Sequence, residues 1–233
     1  MSSIKEAKSI HYLLKRQGWH ALSVPVLSAI AWAFAAPSLD RGMWLGFHSF
    51  QWFWASIAAA VFHQTVVALV FRVELGWGFI ASRFPHNAMK LWGFIFFPLF
   101  MLRPMLIIGL AMSTRGTLML PEMLARLIGA AALIPALYTF WSVYRYFGVN
   151  RALGGDHFYE AYRRMPLVRE GAFRWTGNAM YTFGFLPLWT IALFLGSQAA
   201  LSAALFQHAY IWVHYHCTEK PDMDLIYGTS DGE

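Results

Sequence analysis

The sequence predicts an all-α, polytopic helical membrane protein, and three observations carry that prediction. Hydrophobic residues make up 58% of the 233 residues and charged ones 13%, against roughly 45–50% and about 25% in soluble domains. So few charges would not cover the surface of such a chain in water. Apolar runs of about 20 residues recur along it, the length that crosses a bilayer core with every backbone polar group paired inside the helix. The aromatic share of 18% suits the interfacial belts of membrane proteins. The chain reads as one integral membrane domain over residues 1–233, with membrane helices 1–4 in residues 20–140 and a C-terminal module in residues 141–228.

Residues 1–19 are polar and basic, with Lys5, Lys8, Lys15 and Arg16 against Glu6, and suit a membrane-surface segment. The apolar run Ala21–Ala36 follows. Its Ala33-Phe34-Ala35 imitates a signal-peptide cleavage site, but the long region before it and Pro25 within it favour an uncleaved first helix. Pro37–Gly42 reads as a turn. A second segment runs from about Met43 to Phe71 and carries His48, Gln51, His63 and Gln64, polar groups suited to an interior pocket or to hydrogen bonds between helices.

A loop is expected over Arg72–Lys90, then a third segment over Leu91–Met112. Within that segment Arg103 is costly at membrane depth, and reads either as a functional group or as a side chain snorkelling to the interface. The fourth segment spans Met123–Phe147, with Pro135 as a kink. Two further segments, Met180–Leu195 and Ala199–Tyr215, are joined only by Gly196-Ser197-Gln198, which predicts a tight helical hairpin.

Six crossings place both termini on one side. That side also receives most of the Lys and Arg, in the N-terminal arm, the 72–90 loop and the 148–178 stretch. The opposite side has Arg41 and Arg115. The positive-inside rule then puts both termini and the 148–178 stretch in the cytoplasm. The formal charge of +6 is dispersed between apolar segments rather than gathered in one patch, so no nucleic-acid partner is expected. The single cysteine, Cys217, excludes an intrachain disulfide and a cysteine-based zinc site.

The longest polar interval, Gly148–Tyr181, is rich in glycine and arginine and is the natural place for chemistry. Asp156 is expected to cap a short helix over His157–Arg164. Gly154-Gly155-Asp156 lacks the Gly-Lys-Ser/Thr of a phosphate loop. The nine histidines are mostly scattered; only His208, His214 and His216 lie close together. His214 and His216 point about 200° apart on a helix, so no metal site is expected. On the last segment His208, Trp212, Tyr215 and Glu219 stand at i, i+4, i+7 and i+11 and share one face. That face fits either a binding site or an ordinary helix end with interfacial aromatics.

Three motifs in order are familiar: Gly154-Gly155-Asp156-His157-Phe158, then Asn178-Ala179-Met180-Tyr181, then Glu219-Lys220-Pro221 with Ile226-Tyr227. They resemble the membrane phospholipid N-methyltransferases, in which a G-D-Y-F-like turn, an N-P-M-Y motif, a helical hairpin and an E-E-P…I-Y ending follow one another. The resemblance covers about residues 140–228. In the wider isoprenylcysteine carboxyl methyltransferase group, an R-H-P-x-Y motif falls on Gly177–Tyr181. Ala179 stands where the family has proline and Lys220 where it has a second acid. The family's preceding G-x-G falls on Ile134-Pro135-Ala136, which has no glycine.

The resemblance implies S-adenosylmethionine as cofactor and a lipid amine such as phosphatidylethanolamine as methyl acceptor. It implies that Gly154, Gly155, Asp156, Asn178, Tyr181 and Glu219 belong to the cofactor site. Arg174 and Lys220 suit the cofactor carboxylate or a lipid phosphate, Tyr181 and Trp212 suit the cofactor's sulfonium or adenine, and Tyr215 is a further cofactor-binding candidate. Glu219 and His157 are the candidate proton acceptors. Other acceptors, a thiol, a carboxylate or a small lipophilic molecule, remain open, as do an NADPH-dependent sterol-type reductase and a non-enzymatic transporter. The half-site at Asn178 and Tyr181 should meet Glu219 across the hairpin.

Overall fold

A computed structural model describes residues 6–40 and 42–228, so Lys5 and Arg41 lie outside the described residues. Among these, four helices are long and apolar enough to cross a membrane. They are α1 (Gln17–Leu39, preceded by the short turn of helix Ile10–Leu14), α2 (Ser49–Trp77), α3 (Ala88–Ser113) and α4 (Glu122–Ser142). The closing hairpin is α5 (Leu186–Phe194) and α6 (Gln198–His214), and α7 (Lys220–Tyr227) ends the described chain. The protein is an all-α membrane protein.

Several boundaries differ from the sequence reading. The second helix starts at Ser49, because Met43–Trp44 and Phe47–His48 pair as a small antiparallel hairpin. Its two-residue turn is left-handed at Leu45 and Gly46, the geometry that matches strand twist. His48 and Gln51 then cap α2 reciprocally, Gln51 Oε1 accepting from the His48 N–H at 2.8 Å. They line no interior pocket. The expected loop from Arg72 is helical as far as Trp77 and stops at Gly78, where φ is +57°. Glu74 closes that stop by accepting from the Ile80 and Ala81 N–H groups.

The fifth segment is broken into Ala179–Phe183 and α5. The helix expected over His157–Arg164 is two turns, Gly155–Phe158 and Glu160–Arg163, with extended Tyr159 between them. Asp156 caps neither; Gly154, two residues before it, caps the first in a left-handed conformation, and Tyr159 caps the second.

Helix α6 occupies the middle of the bundle and packs on α1, α2, α3 and α5, while α5 packs along α4 and α2 along α3. Its fit to α1 rests on small side chains: Ala31 and Ala35 meet Ala199, Ala203 and Ala204 in one buried cluster. Small residues let helix backbones approach closely where lipid supplies no hydrophobic drive. Arg103 is buried rather than snorkelling. Its Nε donates to Gln207 Oε1 at 2.8 Å, and its guanidinium lies 4.8 Å from the Phe185 ring centroid, so it ties α3 to both arms of the hairpin. His63 is buried against Phe96, at 4.9 Å between rings, and makes no interhelical hydrogen bond.

At one end of the bundle the hairpin tip meets the α3–α4 loop, with Leu118 N donating to Gly196 O at 2.8 Å and Thr114 paired with Ser197 at 2.6 Å. The other end gathers the N-terminal arm, the last turns of α2 and the C-terminal segment. There Arg72 donates to the carbonyls of Leu13, Lys15 and Cys217 at 2.7–2.9 Å. Both ends of the described chain therefore lie together, with the Tyr12 hydroxyl donating to Asp222.

Candidate active site

Helix α6 does not continue as a regular α-helix. Tyr215–Glu219 is a π turn, whose i→i+5 bonding adds a residue to the turn. That extra residue places Glu219 beside His214, five positions before it, with His214 Nε2 3.3 Å from Glu219 Oε1. The other carboxylate oxygen, Oε2, accepts from the Tyr181 hydroxyl. The four residues spaced along the last segment all converge on Tyr181. His208 Nε2 lies 2.8 Å from its carbonyl oxygen, and Trp212 and Tyr215 flank its ring at 6.0 and 5.3 Å. Thus the Asn178–Tyr181 lip and Glu219 meet across the hairpin, through Tyr181.

Burial pushes the Glu219 carboxyl up, but His214 and the Tyr181 hydrogen bond outweigh it and hold it below the ordinary carboxylate value. His157 lowers it further from the far side. The carboxylate is therefore ionised at neutral pH while it sits among aromatic rings, and its side chain keeps 19% exposure. Each oxygen has a second lone-pair direction open to another donor.

A second buried cluster adjoins the first. Asp222, in the first turn of α7, is fully buried. It accepts from the Tyr12 hydroxyl at 2.8 Å and faces Arg72 Nε at 3.4 Å and His157 Nε2 at 3.3 Å. His157 in turn stacks on Phe71 with 4.1 Å between ring centroids. Asp156 faces Arg151 at 3.6 Å and the Tyr227 hydroxyl. Burial pushes its carboxyl up more than Tyr227, Arg151 and His157 draw it down. Arg163 donates to the carbonyls of Asp156 and His157 at 2.7 and 2.9 Å. The glycine turn is thereby clamped against α2 and α7.

The sequence-predicted residues are thus distributed unequally. Glu219, Tyr181 and Tyr215 come together. His157 stands in the adjoining cluster, Gly154 packs on Phe71 and Gly155 on Tyr162. Asn178 acts through its backbone, its carbonyl accepting from the Tyr181 and Thr182 N–H groups at 3.0 Å. Arg174 is exposed, and the exposed Lys220 pairs with Asp224 at 3.4 Å. His214, Asp222, Arg72 and Tyr12 were not singled out as site residues by sequence. Only Asp222 had a local signal, as the next acid after Glu219-Lys220-Pro221. The three close histidines separate: His208 goes to Tyr181, His214 to Glu219, and His216 is exposed. Among the described residues no group of three His, Cys, Asp or Glu is placed to hold a metal.

Gly154 gives a direct test of the clamp. Its φ is +83°, and an added Cβ would collide with the Phe71 ring that supports His157. Gly154→Ala is expected to lower thermal stability by roughly 1–3 kcal/mol. Gly177→Ala, where nothing lies within reach of a Cβ, should leave the melting temperature close to wild type.

The phospholipid methyltransferase family model matches residues 124–230. The chain is similar to the phosphatidylethanolamine N-methyltransferase of Uncinocarpus reesii, 27% identical over 107 residues. Those of Paracoccidioides lutzii and Botryotinia fuckeliana are 25% and 27% identical over 108 and 106 residues. Each alignment covers 46% of this chain but only 10–11% of the relative, so the chain spans about a tenth of the curated relatives it matches. No solved structure matches it. The matched region runs from the start of α4 through the hairpin, Glu219 and α7, and over residues 124–230 the chain is similar to the phospholipid methyltransferase family.

Proposed function

We propose that this protein is a membrane methyltransferase that uses S-adenosylmethionine and acts on a lipid amine of the phosphatidylethanolamine type, with residues 141–228 as its cofactor-binding module. The observation that carries the reading is the ionised Glu219, held between Tyr181 and His214 and ringed by Tyr215 and Trp212.

The donor set fits that cofactor. A carboxylate with open lone-pair directions suits its α-amino group, and electron-rich rings suit its sulfonium and adenine. Arg174 and Lys220, both exposed at the lip, suit its carboxylate or the phosphate of a lipid. When bound, the cofactor supplies an electrophilic methyl group. Asn178 fixes the start of the helical turn that aims Tyr181. Gly154, Gly155 and Asp156 act on the site by holding His157 in place.

The acceptor nitrogen must lose a proton before it can attack. For a primary amine with a lysine-like pKa this costs about 4–5 kcal/mol at neutral pH. Glu219 is the proton acceptor nearest the rings and becomes a neutral carboxyl on taking the proton, and His214 Nε2, 3.3 Å behind it, is placed to receive that proton next. His157 is the second acceptor candidate, with Asp222 behind its Nε2. Proximity at the membrane face and removal of water from the amine supply the remainder. The Lys and Arg bias puts this end of the bundle, with both termini, in the cytoplasm.

Purified protein in lipid should be protected from thermal unfolding by S-adenosylhomocysteine and not by NADPH. Phosphatidylethanolamine should gain one, two or three methyl groups by mass spectrometry in cells that express it. Protection by NADPH alone would move the assignment to a reductase. Binding of the cofactor product with methylation of a different lipid extract would keep the reaction and change the acceptor.

A further inference from the structure

A groove of about 900 Å³ opens on the side of the bundle between α3 and the segment from Val149 to Tyr162. It is graded along its length. His86, just before α3, and Lys90 stand at the mouth, and one face of α3 carries Lys90, Phe94, Phe97 and Met101, spaced so that the side chains stack down a single stripe. Among the described residues neither Lys90 nor His86 has a carboxylate partner. Phe94 is 79% exposed, a large ring with nothing of this chain over it. Across the groove Asn150 and Tyr162 add polar groups at the level of the mouth.

We propose that this groove is a binding site for one phospholipid, with the phosphate at Lys90 and His86 and an acyl chain lying along Phe94, Phe97 and Met101. Two features select that occupant. A cation without a carboxylate partner at the end of a membrane helix, here Lys90, attracts an anionic headgroup, and the His86 ring can donate a hydrogen bond to it. The stripe from Lys90 to Met101 descends about 16 Å at 1.5 Å per residue, close to half of a ~30 Å hydrocarbon core, which is one leaflet. Gly93 keeps the floor low, since a Cβ there would only touch Phe97 at 3.7 Å. The far wall shares its backbone with the glycine turn: Tyr162, in the groove, packs on Gly155.

The site is defined by binding and does not depend on methyl transfer. The test is native mass spectrometry of the full chain in detergent, titrated with phosphatidylglycerol, which carries the phosphate but no amine, and with no cofactor present. One retained lipid per chain is expected. Lys90→Glu, which reverses the mouth charge, and Gly93→Leu, which fills the floor without a backbone clash, should each weaken retention roughly tenfold. Arg83→Glu, an equal charge change on the same side but outside the groove, should leave it unchanged. Lys90→Gln, with weaker but measurable loss, stands in if Lys90→Glu loses helicity by circular dichroism. Retention unaffected by both groove changes would overturn the proposal. So would equal loss in Arg83→Glu, or several equivalent lipids shed together, the behaviour of a general lipid annulus.

Discussion

Glu219→Gln is expected to remove nearly all methyl transfer and to weaken cofactor binding by a factor between about thirty and several thousand. Truncating one partner of a buried, hydrogen-bonded charge set costs about 2–5 kcal/mol, and Glu219 serves Tyr181, His214 and, in the proposed complex, the cofactor amine. Tyr181→Phe removes a single neutral donor and keeps the ring beside Trp212 and Tyr215, so about tenfold weaker binding is expected. Isothermal titration with S-adenosylhomocysteine separates the two cases. Wild-type affinity in Glu219→Gln would remove the carboxylate from the site and leave the ring cluster as an interfacial helix end.

The same group predicts a pH effect. The folded-state carboxyl lies below its ordinary 4.5, so its contribution to stability is present above that value. It is lost as pH falls through the lower folded-state pKa. Glu219→Gln should therefore flatten the acid limb of the stability curve below about pH 4.5 and leave the neutral region less stable than wild type.

Asp222→Asn is expected to be the most destabilising single substitution at this end of the molecule. Arg72 and Asp222 are both buried, and the aspartate also accepts from Tyr12 and faces His157. Neutralising it leaves a guanidinium without an anion in a dry environment, a loss of about 3–5 kcal/mol, against a total stability of about 5–15 kcal/mol for a typical domain. Thermal unfolding in detergent, followed by circular dichroism, should show a large fall in melting temperature. The double variant Asp222→Asn with Arg72→Met should recover part of it, because no buried charge is then left without its counter-ion. The recovery stays incomplete, since Arg72 also holds the carbonyls of Leu13, Lys15 and Cys217. A melting temperature unchanged in Asp222→Asn would show that the cluster does not hold the N-terminal arm to α7.

Much of the architecture was legible in the residues. Composition and run length specify the apolar helices, because a bilayer leaves few other ways to pair the backbone. The Gly196-Ser197-Gln198 connection specifies the hairpin, since three residues join only adjacent antiparallel helices. The spacing of His208, Trp212, Tyr215 and Glu219 put all four on the face that meets Tyr181, and the paired Asn178–Tyr181 and Glu219 motifs indicated the two halves of the site. Local chemistry was less legible. Leu45-Gly46 between apolar residues forms a hairpin where helical periodicity was expected, and Gly154 rather than Asp156 caps the turn.

Tertiary structure alone decided the rest. Tyr12, Arg72 and Asp222 come from three distant parts of the chain, and no period or motif couples them; burial forced a single cation and a single anion to find each other. Arg103 settled on Gln207 and Phe185 for the same reason, at a depth where water is absent. The π turn at Tyr215–Glu219, between α6 and α7, was not read from the residues. Yet it sets His214 beside Glu219. The sequence by itself determined that His208, Trp212, Tyr215 and Glu219 share the face that meets Tyr181; the fold determined that His214, Asp222, Arg72 and Tyr12 join them, because only burial brings those distant groups into pairs.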